Sequence, residues 1–200
     1  MVRRLFQEIT PPDSILSRGA FALLLIFGVL LAGPAKAQED KTFSPSEIKE
    51  AAEGFFGSTT AGLAEIIERV FSDLGRPTAY ITGEEISGAF VVGLRYGKGE
   101  LNIKSGGTSK IFWQGPSIGF DVGGNASKTF VLVYGLNDQE AIYRRYPGIE
   151  GTFYYVAGLG VNYQGDGDIM LAPIRTGVGL RAGANIGYLH YNDEHSWLPF

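Results

Sequence analysis

Residues 89–114 read AFVVGLRYGKGELNIKSGGTSKIFWQ, and this stretch decides the fold class. Apolar and aromatic side chains alternate with small or polar ones, and glycine recurs every few residues. A period of two places successive side chains on opposite faces of an extended strand. The stretch therefore predicts β-strands joined by hairpins, with turns at residues 97–98 and 105–107. One face of its first strand carries Phe90, Val92, Leu94 and Tyr96.

The same pattern extends in both directions, and residues 83–187 contain 22 glycines between short β-branched and aromatic runs. No segment between the predicted strands is long enough for the repeated crossover helices that a parallel sheet requires. About ten short antiparallel strands in residues 78–200 favour a small closed β-barrel, because closure removes both sheet edges. A two-sheet β-sandwich is the alternative. The fold class is mainly β in either case.

Two helices are predicted before the β region. Ser44, Pro45 and Glu47 form a capping-box start, which places a short helix in an N-terminal lead of residues 38–58. Residues 59–75 form a longer amphipathic helix that ends at Gly75 and packs outside the barrel. Residues 59–200 are expected to form one globular domain. The apolar stripe of the second helix consists of Leu63, Ile66, Ile67, Val70, Phe71 and Leu74.

The N-terminus has the layout of a cleaved export signal. Basic residues precede an uncharged run at residues 20–32, and Ala35-Lys36-Ala37 follows it. Thirteen helical residues reach about 20 Å, too short for a hydrocarbon layer of about 30 Å. Cleavage between Ala37 and Gln38 would leave 163 residues with a net charge of −6 in the periplasm. The mature protein would not span the membrane, and whether the general or the twin-arginine pathway exports it stays open.

Composition excludes several function classes. The chain has 17 Lys and Arg, 21 Asp and Glu and no Cys. A negative balance argues against nucleic-acid binding, and the lack of Cys excludes disulfides, iron–sulfur clusters and thiol nucleophiles. We predict no enzyme activity, no catalytic residues, no cofactor and no metal. The one nucleophile pattern, G-x-S-x-G at residues 115–119, is followed by a strand where the hydrolase elbow needs a helix, so Ser117 is the weakest of the functional candidates.

Two groups of residues are candidate binding features. Arg95, Asp121 and Arg181 lie on strand faces that otherwise carry small residues, which fit a crowded barrel interior. Burial would force opposite charges there to pair, either as a structural ion pair or as the polar floor of a ligand pocket. Lys110, Phe112 and Trp113 lie near one hairpin loop and form a candidate lip for a ligand or partner.

Residues 80–97, YITGEEISGAFVVGLRYG, and residues 112–121, FWQGPSIGFD, resemble the EipA family of envelope integrity proteins. The resemblance runs from about Thr59 to Trp197, and its most specific part is WQGPSIGFD. It implies an alphaproteobacterial periplasmic protein with a small β-barrel and an external helix, no assigned catalytic residues, and a role in envelope stress resistance. The glycine-rich β pattern is also similar, more weakly, to SYLF domains, which bind membrane lipids.

We therefore expect a non-enzymatic periplasmic protein that supports envelope integrity by binding an envelope component or partner protein. The family resemblance implies that this partner belongs to the cell wall, the lipopolysaccharide or the division machinery. A lipid or amphiphile carrier of SYLF-like type is the alternative. The oligomeric state and the presence of a ligand inside the barrel are left open.

Overall fold

The computed structural model describes residues 40–58, 60–121, 126–176 and 187–196, and their side chains except those of residues 88–92 and 117–121. The architecture is mainly β, as predicted. Two α-helices come first, α1 (Pro45–Phe56) and α2 (Leu63–Leu74). The strands are β1 (Ala79–Ile103), β2 (Thr108–Asp121), β3 (Ala126–Tyr134), β4 (Arg145–Pro147), β5 (Tyr154–Val156), β6 (Leu159–Val161), β7 (Gln164–Asp166), β8 (Ile169–Thr176) and β9 (Tyr188–Asn192).

The described strands form a single curled antiparallel sheet, ordered β4-β9-β2-β1-β3-β8-β6-β5, and β7 also pairs with β8. A single sheet is not the alternative two-sheet sandwich. Strand β1 is 25 residues long and changes partner along its length. Its first part, from Ala79 to Ile86, pairs with β3, and its second part, from Ala89 to Asn102, pairs with β2.

Strand β1 corrects the prediction of about ten short strands. The expected turn at Gly97-Lys98 does not occur, because both residues are paired with β2 inside the continuous strand. The strands expected on either side of that turn therefore belong to one strand, and the described residues contain nine strands in all. Glycine permits a turn but does not require one, and here it lets a long strand bend and approach a large side chain.

The sheet has an apolar core on each face. On the outer face, Phe130 and Leu132 of β3 and Ile174 of β8 pack against Ile48 of α1 and Ile66 of α2. On the inner face, alternate residues of the same strands join a second core. That inner core includes Ile81, Leu101, Ile111, Trp113, Val131, Val133, Leu171 and Tyr191.

Both helices are 12 residues long, so the expectation of one long helix is not confirmed. The predicted capping box is present: the Ser44 hydroxyl accepts from the Glu47 N–H, and the Glu47 carboxylate accepts from the Ser44 N–H. Helix α1, which the sequence placed in a lead segment, contributes Ile48 and Ala52 to the outer core. It belongs to one compact unit that runs from Glu39 to Phe200. Among the described helices, none combines the length and the apolar character that crossing a bilayer requires.

Candidate functional site

A group of charged and polar side chains lies buried on the inner face of the sheet. We call it the Glu85 cluster, and its members are Glu85, Arg95, Trp113, Asn162 and Arg175. The pleat of the strands explains its location. Glu85 continues the inner-facing series of β1, while the neighbouring Glu84 is exposed on the other face, and Arg175 continues the inner-facing series of β8.

Three groups surround the Glu85 carboxylate. Oε1 accepts a hydrogen bond from Nε of Arg175 at 3.0 Å, and Oε2 accepts one from Nε1 of Trp113 at 2.8 Å. Nε of Arg95 lies 3.3 Å from Oε1, but it is not aligned to donate a hydrogen bond. Glu85 is 3 % exposed and Arg175 is 7 % exposed. The carboxylate therefore depends on these donors rather than on water.

Hydrogen-bond donors outnumber acceptors in the cluster. Nη1 of Arg175 donates to Oδ1 of Asn162 at 2.8 Å. In the part of the chain that the structure describes, Nη2 of Arg175, Nδ2 of Asn162 and the hydroxyl of Tyr191 are buried without a hydrogen-bond partner. Such groups are rare in folded proteins, because each one loses its bonds to water on burial.

The electrostatics also show an excess of positive charge. Burial by itself would raise the pKa of Glu85, but the attraction of Arg175 and Arg95 and the Trp113 hydrogen bond outweigh it and lower this pKa. The attraction of Glu85 would raise the pKa of Arg95, yet desolvation and the repulsion of Arg175 leave the pKa of Arg95 lowered. Burial raises the pKa of Tyr191, which keeps its hydroxyl protonated. Among the residues whose side chains the structure describes, two arginines face one glutamate, which leaves one positive charge of the cluster uncompensated.

Glycines on β1 position Trp113. Gly97 is the register partner of Trp113, and the indole lies against it. A Cβ on Gly97 would lie 1.9 Å from Cε2 of Trp113, and a Cβ on Gly83 would lie 2.7 Å from Cη2. The indole can therefore reach Glu85 only because these two positions lack side chains.

The predicted interior group is found in part. Arg95 does face the inner side, where its described ionic partner is Glu85. The backbone register places Asp121 opposite Ala89 of β1. The side chain of Asp121 and all of Arg181 lie outside the described residues, so their pairing stays a prediction. Ala37 and Gln38, at the predicted cleavage site, also lie outside them.

The predicted lip does not form one surface. Lys110 is exposed and Phe112 is half-buried, whereas Trp113 is 1 % exposed. Consecutive residues of a strand point to opposite faces, so Trp113 belongs to the inner core and not to a rim with Lys110 and Phe112. For Trp113, the lip prediction is wrong.

Sequence reasoning missed Glu85 and Arg175. Glu84 and Glu85 are adjacent strand residues that point to opposite faces, so they cannot form an acid/base pair. The available signal was the alternation: Ala79, Ile81 and Gly83 precede Glu85 on a buried face. A charged residue that continues an apolar face needs a buried partner, and Arg175 meets that requirement from the end of the apolar run 169–174.

Other chemistries find little support in the geometry. Residues 115–119, the G-x-S-x-G match, lie inside strand β2, so the strand-to-helix turn of a nucleophile elbow is missing. Within the described ranges, no three His, Asp or Glu side chains come together as metal ligands would. What the Glu85 cluster offers is a set of buried cationic and neutral donors, which suits the binding of an anionic group.

Comparison with known proteins matches the chain to a family model and to solved structures. A family model described as envelope integrity protein A, EipA, matches residues 41–200. The crystal structure of a beta-barrel-like, uncharacterized protein from Brucella abortus is 48 % identical to this chain, with a TM-score of 0.71, and the match covers 80 % of this chain and 99 % of that one. No curated protein matches the chain. Neither description names a catalytic activity.

Proposed function

We propose, from the premise that the chain belongs to the EipA family, that it supports the integrity of the cell envelope as a non-enzymatic periplasmic protein. The observation that carries the proposal is the extent of the family match. Residues 41–200 include nearly all of the compact unit and begin just after the predicted cleavage site.

Binding is the mode of action that the site favours. Among the described residues, the Glu85 cluster holds buried donors that have no hydrogen-bond partner. We therefore infer that the protein acts by binding an envelope component or partner protein. The cell wall, the lipopolysaccharide and the division machinery are the candidate sources of that partner.

Closure of the sheet into a barrel belongs to the same proposal. Gly148, directly after β4, forms a bridge with Gln164 of β7, and the Ile149 N–H donates to the Tyr163 carbonyl at 2.9 Å. Because β7 pairs with β8, these contacts would complete a ring of strands around the Glu85 cluster. Slow hydrogen exchange of the Ile149 amide is expected for a closed ring, and exchange as fast as in an exposed loop would contradict closure.

Gene deletion tests the envelope role. Cells without the protein should become more sensitive to detergents and to cell-wall antibiotics, and the wild-type gene should restore resistance. Unchanged sensitivity after deletion would remove the proposal. Export is tested separately, by N-terminal sequencing of the protein from the periplasmic fraction, which should begin at Gln38.

The alternative carrier function is tested on the purified protein. A lipid or amphiphile carrier should retain such a molecule through purification from the periplasm, and native mass spectrometry would detect it. Absence of bound lipid together with absence of liposome binding would exclude this alternative while leaving the envelope role intact.

A further inference from the structure

We propose that the Glu85 cluster binds a single small oxyanion, a carboxylate or phosphate group, between Arg95 and Arg175. This inference rests on the proposed binding function and names the chemistry of the ligand. It depends on three features of the described residues: unused donors, an excess positive charge, and unequal exposure of the two arginines.

The unused donors match an oxyanion in number and kind. The Glu85 carboxylate accepts from Nε of Arg175 and from Nε1 of Trp113, and neither of its oxygens accepts from Nη2 of Arg175, which has no hydrogen-bond partner among the described residues. Nδ2 of Asn162 lies on the residue that accepts from Nη1 of the same arginine. An oxyanion has several acceptor oxygens and no obligatory donor, and it suits the fork of a guanidinium group better than a neutral ligand does.

The charge of the cluster indicates the same ligand. A buried ion is costly unless an opposite charge compensates it, and here one glutamate faces two arginines. A bound monoanion would bring the cluster to neutrality. A cationic ligand would increase the imbalance, and a neutral one would leave it unchanged.

Exposure indicates the route of entry. The side chain of Arg95 is 16 % exposed, whereas that of Arg175 is 8 % exposed. An anion would therefore meet Arg95 first and Arg175 at the inner end. The opposing possibility is an internal counterion, and Asp121, whose register partner on β1 is Ala89, is the predicted candidate.

The test is equilibrium urea unfolding of the purified chain with sodium phosphate or sodium acetate, against sodium chloride at matched ionic strength. Trp197→Phe provides the background, since it leaves Trp113 as the only tryptophan of two and makes the fluorescence local to the site. At a ligand concentration ten times the Kd, the folding equilibrium constant should rise about elevenfold.

Variants separate specific binding from a general salt effect. Arg95→Met and Arg175→Met should each abolish the response. Arg144→Met, which removes a half-buried arginine paired with Asp166, should retain the response in full. If Arg175→Met does not fold, Arg95→Met alone decides the test. Arg95 is the more exposed arginine, so its replacement is expected to disturb the fold less, and circular dichroism checks that this variant is folded. Equal responses in all variants, or no response beyond sodium chloride, would overturn the inference.

Two further arms identify the source of the anionic group. Dodecanoate and dodecyl phosphate carry the same groups on an apolar chain, and dodecanol lacks the charge. If dodecanoate and dodecyl phosphate bind more strongly than acetate and phosphate, a lipid source is supported. If they bind as strongly as acetate and phosphate, a free anion is supported. Binding of dodecanol as strong as that of the charged amphiphiles contradicts the proposal. The envelope phenotype of the deletion strain is measured independently, so a failed titration with a sensitive strain removes only the oxyanion site.

Discussion

Replacing Glu85 with glutamine tests the electrostatics of the inner face most directly. The substitution keeps the size of the side chain but removes the negative charge that faces Arg95 and Arg175. It also replaces one acceptor oxygen with an amide N–H₂ group, which opposes either the Trp113 N–H or an arginine donor. Breaking a buried ion pair by removing one partner costs about 3–5 kcal/mol, and at 3 % exposure water can compensate little of this loss.

The assay is urea unfolding followed by circular dichroism, which reports the free energy of unfolding. Glu84→Gln is the matched control, because Glu84 is the adjacent residue of the same strand and points outward. The control should change the free energy of unfolding by less than about 0.5 kcal/mol. If the two variants unfold at the same urea concentration, the description of a buried, charge-bearing cluster is wrong.

The difference in unfolding free energy between the wild type and Glu85→Gln should also depend on pH, which provides a second readout. Because Arg175 and Arg95 outweigh burial, the pKa of Glu85 in the folded chain lies below the ordinary value of 4.5. A lowered folded-state pKa means that the stabilisation is fully present above the unfolded-state pKa and is lost as the pH falls through the folded-state pKa. The difference between wild type and Glu85→Gln should therefore be constant at neutral pH and shrink below pH 4.5. A difference that grows on acidification would contradict the reasoning.

Three further substitutions test the packing, each by its urea midpoint. Gly97→Ala should cost about 1–3 kcal/mol, because its Cβ would overlap Trp113, whereas Gly107→Ala, with open space around it, should cost less than about 1 kcal/mol. Ile48→Ala should cost about 2–5 kcal/mol if α1 belongs to the core, and a negligible change would place α1 outside it. Tyr191→Phe removes an unpaired buried hydroxyl and should leave stability unchanged or raised, so a clear loss would reveal a partner for that hydroxyl.

Local patterns were sufficient for the mainly β fold class and for the start of the first helix. The period-two alternation predicted β-structure, and the Ser44 capping box located the start of α1. The strand boundaries were harder to predict from the sequence. A glycine has the same local preferences whether it forms a turn or receives a neighbouring side chain, and only the pairing of Gly97 with Trp113 across two strands distinguishes these cases.

The candidate site was predicted in part for a related reason. Arg95 was assigned to the inner face because its strand neighbours are small, and the structure places it there. Its partner could not be identified from spacing, since Glu85 lies ten residues away on the same strand and Arg175 comes from a distant part of the chain. The curvature of β1 and the pairing of β3 with β8 bring the three together, and neither is encoded in a short motif.

The composition of the Glu85 cluster indicates whether its role is structural or lies in binding. A well-packed apolar group of the same volume is often as stabilising as a buried ion pair, or more so, and the inner face already carries an apolar core. An evenly balanced pair could still be explained as a device for fixing strand register. One glutamate against two arginines, with donors left over, is a poor solution to that problem, because part of the desolvation cost is not recovered. The surplus of donors and charge therefore favours a binding role over a purely structural one.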